Sequence, residues 1–170
     1  MSPVQAFFAS LLVVATALLA GAVAAPYDGG LVELPFPDEW KFVNAIEGDL
    51  AKLDDGTEVF VRVMTIPPDT KPVHREREIK EIVDGLEVLF PRPQRIENAR
   101  VIVPRTTRSL PGDVNYAEMV YGFHNAPGAF CVLWVRRGDV FVLVMATSKS
   151  DPRPERLNEL RAALIGARWK

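Results

Sequence analysis

Two neighbouring stretches, residues 129–137 and 140–147, are apolar on both of their alternating faces, and that limits what the chain can fold into more than any other feature. Successive side chains of a strand point to opposite faces. Cys131, Leu133 and Val135 thus stand opposite Phe130, Val132 and Trp134, and Val140, Val142 and Val144 opposite Phe141, Leu143 and Met145. A sheet with one wet face alternates apolar with polar residues, so these strands belong at the centre of a sheet covered on both sides. Only Gly138-Asp139 separates them. A connection that short joins antiparallel neighbours.

The rest of the chain supplies further strands and two covers. Residues 99–103 and 114–123 carry the β-branched and aromatic side chains of strands, with turn signals at Leu110-Pro111-Gly112 and Asn125-Ala126-Pro127-Gly128. Residues 49–53 and 57–66 form a hairpin about Asp54-Asp55-Gly56, since Asp-Gly accepts the positive φ angles of a tight turn. Residues 32–40, interrupted by Pro35 and Pro37, read as an edge strand or extended segment. From 73 to 90, Ile79, Ile82, Val83, Leu86, Leu89 and Phe90 recur at helical spacing until Pro91. Gly85 inside that helix costs about 1 kcal/mol relative to alanine. A second helix begins near Ser150 or Asp151, with Pro152 in its first turn, and buries Leu157, Leu160 and Leu164 before Gly166. The expected fold class is therefore α+β: an antiparallel β-sheet covered by helices on both faces, an α/β/α sandwich.

Ahead of this domain, residues 6–25 contain no charged side chain. Residues 11–19 resemble the apolar region of a secretory signal, and Ala22-Val23-Ala24 gives the small-residue pattern that precedes cleavage. The flank before it lacks Lys and Arg, and the apolar run is long enough to span a bilayer, which takes about 20 residues. The expected organisation is a signal peptide or N-terminal membrane anchor over 1–24 and a single globular domain over 25–170. The expected location is periplasmic, extracellular or lumenal. A formal charge of −2 argues against nucleic acid as a partner. Cys131 is the only cysteine, so no internal disulfide is available to an exported chain that must rely on its core.

Several segments together resemble the PsbP-like superfamily. They are Leu34-Pro35-Phe36-Pro37-Asp38-Glu39-Trp40, Leu110-Pro111-Gly112 leading into Tyr116-Ala117-Glu118-Met119-Val120-Tyr121, the hairpin ending in Val140-Phe141-Val142-Leu143, and a closing helix before Trp169. That superfamily includes oxygen-evolving accessory proteins of photosystem II, periplasmic proteins similar to DcrB, and a Ran-binding branch. The resemblance implies an α/β/α sandwich without catalytic residues, and accessory, chaperone-like or binding roles. It carries over no functional residue, because those branches share a fold and not a common site.

The residues themselves hold few chemical motifs. His74 and His124 with one cysteine make a poor metal set, as a structural zinc takes four closely spaced ligands. Cys131 sits in Phe130-Cys131-Val132-Leu133, where cysteine behaves as a small hydrophobe. Ser109, Ser148 and Ser150 lie in no nucleophile elbow, and Gly29-Gly30 opens no phosphate-binding helix. Arg137-Gly138-Asp139 matches an adhesion tripeptide, but a hairpin needs glycine there for backbone reasons. Trp40, Trp134 and Trp169 read as core anchors. No cofactor, metal or catalytic residue is expected.

Charge asymmetry gives the candidate partner surface. Arg92, Arg95, Arg100, Arg105 and Arg108 are opposed locally only by Glu97, whereas Glu47, Asp49, Asp54, Asp55 and Glu58 are offset only by Lys52. Arginine forks bind carboxylate and phosphate, so the basic stretch suits an acidic protein or an anionic membrane surface. The expected role is an exported, non-enzymatic accessory or binding protein assisting an envelope or lumenal complex. The alternatives are a small exported enzyme with a site built from scattered polar residues, and a membrane-tethered structural protein.

Overall fold

A computed structural model describes residues 27–90, 99–124 and 126–170. The leader, Pro91, Arg92, Arg95, Glu97 and Asn125 lie outside the described residues. The described strands are β1 (Tyr27–Asp28), β2 (Val32–Leu34), β3 (Phe42–Ala45), β4 (Gly48–Lys52), β5 (Glu58–Thr65), β6 (Ala99–Leu110), β7 (Val114–Phe123), β8 (Ala126–Arg137), β9 (Val140–Ser148) and β10 (Arg168–Trp169). The two helices are α1 (Pro72–Val88) and α2 (Pro154–Ile165). A seven-stranded sheet runs β3-β4-β5-β9-β8-β7-β6, and a three-stranded sheet runs β1-β2-β10. Every described pairing is antiparallel.

The doubly apolar strands sit where their pattern demands. β8 and β9 occupy the middle of the large sheet, with Leu133 opposite Val144 and Trp134 opposite Leu143. Cys131, Leu133, Val135, Val142 and Val144 are buried on one face, and Val132, Trp134, Phe141, Leu143 and Met145 on the other.

What covers those faces differs from expectation. The described chain is mostly strand, in two antiparallel sheets with only two helices, and is not a sheet covered by helices on both faces. One face is closed jointly by α2, by the three-stranded sheet through Val32 and Leu34, and by Phe36 and Trp40, whose rings stack at 5.0 Å. On the other face α1 buries only Leu86 completely and leaves Ile79, Ile82 and Val83 half-buried. Apolar faces reveal that a sheet is covered but not by what. Strands as short as β1, β2 and β10 show no periodicity that would have revealed a second sheet.

Element boundaries shift for local reasons. β2 stops at Leu34 because Pro35 and Pro37 have no N–H for a ladder. β6 runs beyond the expected residue 103 to Leu110, passing Pro104 through two register shifts. An edge strand tolerates proline at such irregularities. α2 begins at Pro154 and not in the first turn anticipated around Pro152, with Arg153 at its N-cap. Asp151 instead receives hydrogen bonds from Arg100. At the other end of the chain Gly56, at φ 80°, closes the β4–β5 hairpin as its Asp-Gly signal requires.

Candidate interaction surface

Strand β7 contributes one carboxylate to an otherwise apolar face. Glu118 is 7% exposed and lies between Ala117 and Met119. The isolated charge is compensated locally. Arg161 of α2 donates to both carboxylate oxygens, Nε to Oε2 at 2.7 Å and Nη2 to Oε1 at 3.0 Å, and the Tyr116 hydroxyl donates to Oε2 at 2.5 Å. Burial pushes the Glu118 carboxyl upward, but the hydrogen bonds from Arg161 and Tyr116 and the charges of Arg161 and Arg108 outweigh it and hold it below its ordinary value. Burial and the same carboxylate push the Tyr116 phenol well above its usual range.

A second pair anchors the start of α2. Arg156 lies over the Trp40 ring at 5.1 Å and donates to Asp55 in the β4–β5 turn at 3.4 Å and to Glu159 at 2.5 Å. Asp55 also accepts the Thr57 N–H at 2.9 Å. Its carboxyl is raised by burial but lowered further by Thr57 and Arg156, and ends below its ordinary value. Both networks tie α2 to the sheet. They fit structural clamps better than a reaction centre, since their members already saturate one another.

The three described arginines of the basic stretch all lie on β6, the outermost strand of the large sheet, but they do not converge. Arg100 donates to Asp151 at 2.8 Å, towards the loop before α2. Arg105 reaches the opposite face, pairing with Glu87 at 2.6 Å and lying 5.4 Å from the Phe90 ring centre. Arg108 lies over the Tyr116 ring at 4.8 Å on the α2 face, and makes no ion pair among the described residues. β6 contains no acidic residue, and residues 104–109 are all exposed.

The remaining expected features find bland places. Cys131 is 3% exposed, and burial, reinforced by Glu118 against Arg161, pushes its thiol up to about 12. His74 and His124 are exposed. No group of three or more His, Cys, Asp or Glu that would hold a metal gathers among the described residues. Asp139 of the Arg137-Gly138-Asp139 turn accepts from Arg75 Nε at 2.9 Å, and its carbonyl accepts the Ile66 N–H at 3.1 Å. The turn therefore fastens the start of α1 to the sheet. Trp40 and Trp134 are buried and Trp169 is half-buried.

Sequence reasoning missed two features. One is the Glu118 network, whose signal was a lone carboxylate in an apolar strand. The other is a narrow crevice of about 10 Å³, room for about one water, beside the end of α1, lined by Leu89, Tyr121, Phe130, Val132, Met145 and Thr147. Tyr121, Phe123 and Phe130 form an aromatic trio at its edge, with centroids 5.4–6.0 Å apart. No helix among the described residues is long and apolar enough to cross a membrane.

No protein-family model matches the chain. No curated protein sequence matches it either. Among solved structures, a protein of Bacteroides thetaiotaomicron aligns over 89% of this chain and 49% of its own, at 12% identity and a TM-score of 0.45, so the chain spans about half that protein's length. LpqN, described as involved in cell envelope biogenesis of Mycobacterium tuberculosis, aligns over 84% of this chain and 88% of its own, at 14% identity and a TM-score of 0.50. The likeness to LpqN is one of fold.

Proposed function

We propose that this chain is an exported, non-enzymatic accessory protein of PsbP-like type that binds a protein partner in an envelope or lumenal complex. The observation that carries this reading is the outer edge of β6: a long exposed strand bearing three arginines and no acid, paired among the described residues on one side only. The inward-facing ionisable groups support it as well, because Glu118, Arg161, Arg156 and Asp55 are engaged with one another in clamps. The charge-free leader supports export. LpqN, the fold neighbour, is described as an envelope-biogenesis protein, and the same kind of compartment suits this chain.

The test is site-specific photo-crosslinking in the native compartment, with the crosslinker placed at Thr107 on β6 or at Glu81 on α1. The reading expects a discrete protein adduct from Thr107 and none from Glu81. No adduct from Thr107 contradicts it.

A further inference from the structure

The β6 edge divides into two unlike halves. Its first half carries devices that keep sheet edges from pairing: two register shifts, between Val101 and Val103 and between Val103 and Thr106, with Pro104 inside the second. Its second half has no register shift and no proline, and of these devices carries only the charge of Arg108. Residues 106–110 pair with β7 in unbroken register, Thr106 opposite Glu118 through Leu110 opposite Val114. No described strand pairs with their outer side. Thr106 and Thr107 are β-branched, suited to a ladder, and polar enough to stay wet while unpaired.

Charge selects what can pair there. Arg105, paired with Glu87, reaches one face of the sheet, Arg108, without an ion pair among the described residues, reaches the other, and β6 itself offers no carboxylate. A second copy of this chain paired edge to edge would bring three more arginines and no carboxylate on its own β6, so it offers these arginines no opposite charge. A flat anionic membrane would meet one side of the edge at a time. An extended segment lying along the edge alternates its side chains between the two faces, so acidic residues on it approach both arginines.

We propose that residues 106–110 of β6 take an extended acidic segment of a partner protein as an added strand of the large sheet. The proposal rests on the reading of the chain as a binding protein and names the chemistry of its partner. Main-chain hydrogen bonds supply the attachment, and the arginines select acidic sequences and exclude basic ones.

The test titrates the purified exported protein with a blocked octapeptide of alternating glutamate and valine, read by amide hydrogen exchange. A lysine–valine octapeptide and phosphatidylglycerol vesicles serve as the contrasting probes. The expected result is new protection of alternate amides within 106–110 by the acidic peptide alone, weakening as salt is raised. A double variant, Arg105→Gln with Arg108→Gln, is expected to bind roughly tenfold more weakly. Glutamine avoids placing a like charge beside Glu87, and the wild-type salt series stands independently of the variant's folding. Absence of protection, equal protection by the lysine peptide, or protection of β6 by vesicles and not by peptide overturns the proposal. A Thr107 adduct to a native partner with no peptide protection leaves the binding-protein reading standing and removes strand addition.

Discussion

Glu118 interrupts a strand whose neighbours are apolar on both faces, and only the pairing supplied by α2 makes that tolerable. Breaking a buried pair from one side leaves the other charge uncompensated. Glu118→Gln should lower stability by about 2–3 kcal/mol, somewhat less than the roughly 3–5 kcal/mol of a fully buried pair, since Arg161 retains some access to water. The sign with pH follows from the direction of the shift. A carboxyl held below its ordinary value stabilises the fold above that value and loses its contribution as pH falls through the folded one. Urea unfolding at neutral pH and at about pH 3.5 should therefore show the wild type losing more stability than Glu118→Gln; an equal loss contradicts the assignment. Cys131 offers a second check at this scale. Its buried, upshifted thiol should react with a polar disulfide reagent only as fast as the protein opens, so a rapid stoichiometric reaction of folded protein would refute the packing role.

At the scale of elements, α1 and α2 are held differently. α2 buries Leu157, Leu160, Ala163 and Leu164 and is clamped by two arginines, whereas α1 buries Leu86 and is fastened at its start by Arg75 to Asp139. Arg156→Ala should cost about 1–2 kcal/mol, from the lost Trp40 contact and the partly buried pair with Asp55. Gly85→Ala should have the opposite sign. A Cβ there meets nothing within 4 Å, so alanine gains its helix preference of about 1 kcal/mol without a clash. Chemical denaturation of both variants checks the pair; a destabilised Gly85→Ala would mean that α1 sits closer to the sheet than described.

The same elements show what was legible in the sequence. Two-faced apolarity placed β8 and β9 at the centre, and Asp54-Asp55-Gly56 fixed the β4–β5 hairpin, because both signals are local. The three-stranded sheet was not legible, since β1 pairs with β2 nearby but β2 pairs with β10 at the far end of the chain. The arginines were legible as a charge excess but not as a surface. Their alternation on β6 sends Arg105 and Arg108 to opposite faces, and only the sheet reveals that they flank one edge.

For the whole molecule, the two clamps and the doubly buried centre make a firm scaffold, and the outer side of β6 is a margin that no described strand pairs. Function at an edge does not require a pocket of reactive groups; it requires backbone donors and acceptors left open, as those on the outer side of β6 are among the described strands. Native-state hydrogen exchange of the protein without any partner tests this most directly. Amides of β5, β9, β8 and β7 should exchange only through global unfolding, while alternate amides of residues 106–110 exchange freely. Uniform protection across 106–110 in the protein alone would mean that the edge is already covered, and would contradict the account.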